Sequence, residues 1–418
     1  MLLPISNVPR AYSWGSPDLI PALVGREPTG EPEAEIWYGD HPGSPSRVTG
    51  DGAQPGLPGG VDGQTLDAAL AALGEPPLPF LLKLLAAGSS LSIQAHPTKT
   101  EAEAGFAREE AAGVARDADD RLYRDDNHKP EIIVALSDEF RALVGLRPVA
   151  QTRQLLALLS GASGALGAPR SGGALDRLDT LLSGGDGRGD EQVLRAALAW
   201  ALSEATPDDV AQLAAALDAA AADAAKPGDF AHEIAVLRAA ASDFPGDRGL
   251  YVALLMNLVV LRRGDALFAP AGVLHAYQSG LGVELMAASD NVLRGGLTPK
   301  HVDVPELVRI VDVEPGPAPI VEPAADGDHA VIYDAGVPDF ALTRVELADD
   351  AVAVDLHGPA IILATRGAVR VSERASDHAG TEGAVELRPG DAVYVGGGAP
   401  RVDIAGRGEA FVAQPGRH

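Results

Sequence analysis

The chain of 418 residues contains no cysteine. That excludes a disulfide framework, cysteine–zinc sites and thiol catalysis. Aromatic residues are scarce, at 4%. Long apolar runs are missing too: the longest, Val252 to Leu261, is too short for a bilayer and is interrupted by Asn257. The opening residues, MLLPISNVPRAYSWG, lack the basic region, apolar run and cleavage site of a secretory signal. A cytoplasmic protein without a membrane partner is therefore expected. Positive charge is short: 33 Lys and Arg face 59 Asp and Glu, a formal net charge of −26. Such a surface repels phosphate backbones, so nucleic acid is not an expected partner. Lysine is the rarest cation, with five (83, 99, 129, 226 and 300); the other basic residues are arginine. A lysine kept in this composition marks a place where a compact ammonium serves better than a planar guanidinium.

What the chain does have is 46% hydrophobic residues and length enough for two to four domains. Residues 1–150 are rich in Pro, Gly and short apolar runs such as AEIWYG (34–39), LPFLLKLLAAG (78–88), LSIQAHP (91–97) and PEIIVAL (130–136). These read as short strands, although LPFLLKLL alone also fits a buried helix. Thr100–Arg116 reads as a helix. From about Pro148 to Asp243 the texture turns helical, with few β-branched residues. Thr206-Pro207-Asp208-Asp209 is a helix start, with Thr as cap, Pro first and acids in the first turn. The Gly-rich stretches 161–173 and 183–190 read as loops. Strand texture is expected to return at Tyr251, PGPAPIVEP (315–323) reads as a linker, and short strands follow from about 326. A weak repeat aligns RRGDALFAPAGVLHAY (262–277) with RPGDAVYVGGGAPRVD (388–403), setting Arg401 against His275. Turn–strand–turn–strand units of this kind recur in small antiparallel barrels.

Alternation along strands groups the polar residues. Ser92, Gln94 and His96 share one face of LSIQAHP, and Lys129 and Glu131 share one face of NHKPEIIVAL. An exposed strand face and a surface ion pair would explain each fragment alone. His275 and Tyr277 share a face, Glu284 follows a turn at Ser279-Gly280 and lies in apolar GVELM, and Lys83 lies in apolar PFLLKLLAA. A buried carboxylate requires a cation or hydrogen bonds, whereas Lys83 by itself reads as a snorkelling side chain. Together Gln94, His96, Glu131 and His275 offer nitrogen and oxygen donors of the kind zinc or another borderline metal accepts. Spacing alone does not bring three distant segments together.

The segments AYSWG (11–15), AEIWYGDHP (34–42), LPFLLKLLAAGSSLSIQAHPTK (78–99), YRDDNHKPEIIVAL (123–136), GDALFAPAGVLHAY (264–277) and GVELMAASDNVLRGGLTPKHVD (282–303) resemble the type I phosphomannose isomerases. The resemblance implies a mainly β fold with an α-helical insertion: two cupin (jelly-roll) barrels plus an all-helical domain. The zinc cupin would comprise 1–150 and 251–325, the helical insertion 151–250, and a metal-free cupin 326–418. It implies one zinc ion per chain on Gln94, His96, Glu131 and His275, and a catalytically important Arg294. Lys83, Ser92, Lys129, Glu284, Tyr277, Asp290 and Lys300 would line the substrate site. The implied reaction interconverts mannose 6-phosphate and fructose 6-phosphate through a cis-enediol, and so feeds mannose metabolism or mannosyl-donor synthesis. Lys129 leads as general base, with Glu284 its rival. Arg294 and Lys300 are suited to phosphate or enediolate charge. A small sugar phosphate is the expected partner, and a monomer the expected state. A metal-dependent oxygenase and a non-catalytic sugar-binding module are the competing readings.

Overall fold

Strand His275–Ala287 organises the larger of two sheets. The computed structural model describes residues 1–50, 60–165, 173–185, 187–222, 230–373 and 383–417. Within these, the larger sheet runs in the order 293–296, 93–95, 275–287, 131–135, 266–269, 320–321. Strand Phe80–Ala87 adds to 275–287 and to Glu35–Tyr38, and Phe140–Leu146 adds to 275–287 and to Met256–Leu261. The pairings of 275–287 change along its length. Its first residues lie against Gln94 and against 141–144, and from Gly280 onward it lies against Phe80–Ala87 and 131–135. The Ser279-Gly280 turn expected from sequence is a bulge in one continuous strand. Gly280 has φ +120°, and a Cβ there would lie 2.8 Å from the Phe140 ring. The apolar run 78–88 is a strand, buried along all of Phe80–Ala87.

The second sheet runs 324–325, 330–333, 341–355, 401–414, 360–373, 392–395, 2–6, 47–48. Its last two members come from the N-terminal part of the chain: Leu2 to Ile5 pair with Val395 to Ala392. The protein is thus mainly β with helices. Both strand orders are open, and no closed barrel forms among the described residues.

The helical stretch interrupts a single strand pair. Phe140–Leu146 and Met256–Leu261 are antiparallel neighbours, yet between them run the helices Val149–Ala165, Ala174–Leu182, Asp190–Ser203, Pro207–Ala222, Ala231–Asp243 and Gly249–Leu255. Thr206 caps as expected: its Oγ1 accepts from Asp209 N at 3.2 Å, and Asp209 Oδ2 accepts from Thr206 N at 2.9 Å. Two expectations fail here. Residues 161–165 continue a helix instead of forming a loop, with 166–172 and Asp186 outside the described residues. Tyr251 to Leu255 are helical, not extended. All seven residues of Gly249–Leu255 are buried, and an apolar run without polar punctuation carries no period to tell helix from strand. The helices share one apolar cluster with Ile93 and Leu293 of the larger sheet and with Leu274 and Leu297 at the ends of its strands, so they pack directly behind the strands that bear the site.

The repeat is real in three dimensions. Gly264 and Gly390 adopt φ +89° and +90°. Asp265 Oδ2 accepts from Arg262 N at 2.7 Å, as Asp391 Oδ2 does from Arg388 N at 2.9 Å. Each turn also receives a hydroxyl from the opposite half: Tyr333 donates to the Gly264 carbonyl at 2.8 Å and Tyr38 to the Gly390 carbonyl at 2.7 Å. At His275's counterpart, Arg401 pairs with Asp355 at 2.5 Å. Val345, Ile362, Val371, Val402, Ile404 and Val412 fill the apolar cluster of that half.

Candidate metal centre and active site

Three strands bring the donors together. His96 follows strand Ile93–Ala95, where Pro97 and the cap at Thr98 end the strand and start helix Lys99–Ala112. Its Nδ1 lies 2.7 Å from the Asn291 carbonyl, and the Nδ1 of His275 lies 3.0 Å from the Val273 carbonyl. With Nδ1–H donated to a backbone oxygen, each ring turns Nε2 inward as an acceptor. His275 Nε2 is 3.2 Å from Glu131 Oε2 and His96 Nε2 is 3.4 Å from Glu131 Oε1. One donor atom from each of the three lies within 4.8 Å of the others, and all three residues are buried. His96 Nε2 has no hydrogen-bond partner although fully enclosed. Two imidazoles and a carboxylate around an orphaned nitrogen fit a divalent metal of borderline softness. Gln94 pairs in register with His275 and with Arg294. Its amide NH2 donates to Ser92 Oγ at 3.1 Å.

The electrostatics suit such an ion. Burial, then Lys129, pushes the His96 imidazole down to about 4, so the ring is neutral and free to ligate. Burial opposes charge on Glu131, but Lys129 and the imidazoles outweigh it and hold the carboxyl well below the usual range.

The cluster opens into a cavity of about 590 Å³. Among its lining residues are Gln94, Lys129, Glu131, His275, Tyr277, Glu284, Lys83, Ser92, Arg294 and Lys300. Lys129 Nζ is 2.6 Å from Glu131 Oε1. Lys83 Nζ donates to Glu284 Oε2 at 2.9 Å and lies 3.7 Å from Glu35 Oε1. Burial works against the Lys83 charge, and Glu284, Glu35 and Glu131 reverse that and keep it protonated. Burial raises both Tyr277, helped by Glu284, and Glu284 itself, against the pull of Lys83. Arg294 and Lys300 differ from the other two cations: among the described residues neither makes an ion pair. Both are pushed down by burial first, then by neighbouring positive charge, Arg124 on Arg294 and Arg294 with Arg124 on Lys300. One end of the cavity therefore carries an excess of positive charge, with Asp119 acting against it on Lys300, in a protein of net charge −26.

Residues 2–149 match the family model for the phosphomannose isomerase type I catalytic domain. The chain is 34% identical to mannose-6-phosphate isomerases of Salmonella typhimurium and Escherichia coli, with 96% of each chain covered. A solved mannose 6-phosphate isomerase bound with zinc and yttrium superposes with TM-score 0.81 at 31% identity over 99% of both chains. The chain belongs to the type I phosphomannose isomerases.

Most residues that the family resemblance assigned to the site meet there. Asp290 does not line the cavity. Its backbone N–H is held by Asp125 Oδ2 at 2.7 Å and its half-exposed carboxylate by His41 at 3.3 Å, an interaction that lowers its pKa. Sequence reasoning missed Glu35 and Trp37, which share a face of strand Glu35–Tyr38. Trp37 Nε1 donates to Glu35 Oε2 at 2.7 Å, and the Lys83 ammonium lies 5.2 Å from the Trp37 ring centre. The same alternation that grouped Gln94 with His96 would have grouped these two. It also missed Asn291, which is fully buried, and Asp243 and Phe244 at the end of a helix. No short-range pattern connects those with the cavity.

Proposed function

We propose that this phosphomannose isomerase interconverts mannose 6-phosphate and fructose 6-phosphate using one zinc ion held by Gln94, His96, Glu131 and His275. The convergence of His96, Glu131 and His275 on one point beside Lys129 carries this reading. When bound, the ion supplies Lewis acidity toward the substrate carbonyl and hydroxyl oxygens.

The remaining work falls to the chain. A carbon acid beside a carbonyl needs a base at the carbon-bound proton and positive charge near the developing oxyanion. Lys129, which must act as the free amine for this step, is assigned the proton transfer: it takes the proton from C2 of the aldose and returns it to C1 of the cis-enediol, because it faces the cavity beside Glu131. Glu284, held by Lys83 at 2.9 Å, is assigned to anchoring Lys83. Arg294 and Lys300 take the phosphate and enediolate charge. Tyr277 and Ser92 complete the walls, and Asp290 stays outside them, held by Asp125 and His41. Division into a zinc cupin (1–150 and 251–325), a helical insertion (151–250) and a metal-free cupin (326–418) is supported by the repeated turns and by Arg401 at the place of His275. The product would enter mannose metabolism or mannosyl-donor synthesis.

A coupled assay on the purified, zinc-loaded full chain, wild type and His275→Ala, tests the reading. Turnover of mannose 6-phosphate that tracks bound zinc supports it; no turnover at full zinc loading rejects it.

A further inference from the structure

The segment Asp243-Phe244-Pro245-Gly246-Asp247-Arg248-Gly249 leaves the helical stretch and braces two walls of the cavity. At its start, Asp243 Oδ2 accepts from Ser90 N at 2.9 Å, on the wall that also holds Ser89, Leu91 and Ser92. At its other end, Asp247 grips the wall that carries the unpaired cations. Its Oδ1 accepts from Leu297 N at 3.0 Å and from Gly249 N at 2.7 Å, and its Oδ2 accepts from Thr298 N at 3.0 Å. Leu297, Thr298, Pro299 and Lys300 all line the cavity.

The gripped backbone is not one the chain adopts freely. Gly296 has φ +113° and Leu297 has φ +53°, a left-handed conformation that a leucine side chain disfavours. The two segments touch backbone to backbone: a Cβ on Gly249 would lie 2.4 Å from Leu297 N, and one on Gly296 would lie 2.3 Å from the Gly249 Cα. Leu297 is fully buried in the apolar cluster of the helices. Its side chain is therefore packed, while its backbone N–H and that of Thr298 are satisfied by a single carboxylate from the segment that leaves the helical stretch.

We infer that Asp247 is a positioning residue for sugar-phosphate binding: it holds residues 296–300 in the strained path that presents Lys300, and with it Arg294, to the substrate phosphate. The inference rests on the assignment of Arg294 and Lys300 to the phosphate. Without the carboxylate, the left-handed step at Leu297 loses its compensation and the wall relaxes outward. Substrate is then bound less tightly, whereas the metal donors, on other strands, keep their places.

The test uses the zinc-loaded full chain with Asp247→Ala, Asp247→Asn and Lys300→Ala. KM and kcat for mannose 6-phosphate, zinc content and thermal midpoint are measured for each. Asp247→Ala is expected to retain one zinc and to raise KM by about 10- to 100-fold with kcat within about threefold. Asp247→Asn, which keeps Oδ1 for Leu297 and Gly249 but sets an NH2 against Thr298 N–H, should fall between. A folded Asp247→Ala with wild-type KM overturns the inference; should that variant fail to fold, a wild-type KM in Asp247→Asn does so. Lys300→Ala separates the two ideas. An unchanged KM there rejects the phosphate assignment, whereas a raised KM there beside an unchanged one in Asp247→Asn rejects only the role of Asp247.

Discussion

Lys129 Nζ lies 2.6 Å from one oxygen of Glu131, and the other oxygen of that carboxylate lies 3.2 Å from His275 Nε2. A single side chain thus joins the amine assigned to proton transfer to a metal donor. Removing the amine should spare the metal and damage chemistry. For Lys129→Ala, kcat is expected to fall by about 10²–10⁴-fold with zinc retained. Glu284→Gln should instead loosen Lys83 and act more on stability. If single-turnover rates show Glu284→Gln losing as much as Lys129→Ala, the base is Glu284.

Metal removal should be reversible and stoichiometric. Chelation is expected to abolish isomerisation and lower the thermal midpoint, because an ion bound only by the folded state stabilises it. Zinc should restore both. Elemental analysis should give a ratio near one per chain; a ratio near two would mean that the C-terminal half also binds metal.

Asn291 orients a metal donor without touching the metal. Its carbonyl receives His96 Nδ1, its side-chain oxygen accepts from Arg124 N at 2.7 Å and Asp125 N at 3.2 Å, and its amide donates to the Asp125 and Asn127 carbonyls at 2.8 Å each. Asn291→Ala is expected to weaken zinc binding by about 10–100-fold in a chelator competition. An unaltered affinity would show that the residue 291 carbonyl keeps its place against His96 Nδ1 without the Asn291 side-chain bonds.

Much of this site is legible along the chain. In-phase alternation grouped Gln94 with His96 and Lys129 with Glu131, and the turn repeat at Gly264 and Gly390 could be read before any fold was known. The rest depends on contacts that periodicity does not encode. The run from Tyr251 is apolar on every side, so it reads equally well as strand or helix. Strand Leu2–Ser6 alternates like any other, and nothing in it names Ala392–Val395 as its neighbour. Asp247 satisfies amides fifty residues away, which no local spacing announces.

Glu306 links acid stability to the wall of helix Lys99–Ala112. Hydrogen bonds from Arg309, then Tyr123 and Arg108, outweigh burial and hold its carboxyl at about 2, against an ordinary value of 4.5. A depressed folded-state pKa gives stability that is complete above about 4.5 and is lost as pH falls toward 2. Because Arg108 and Arg309 are about half exposed, solvent screening leaves about 1 kcal/mol. Glu306→Gln should therefore unfold more readily at pH 7, and the gap to wild type should close as pH drops through that window. Thermal melts that stay parallel from pH 5 to 2 would refute this.

The exchanged tyrosine hydroxyls have a bearing on how the polypeptide can be cut. Tyr38 and Tyr333 lie in one apolar cluster with Leu3, Phe340, Tyr394 and Phe411, drawn from both ends of the chain. A fragment ending near residue 325 would keep every donor to the metal. It would also leave the Gly264 carbonyl without its hydroxyl, strand Leu2–Ser6 without its neighbour and that greasy seam open to water. The C-terminal part therefore braces the N-terminal strand and covers the shared apolar seam, and a fragment cut near residue 325 is expected to be less stable than the full chain.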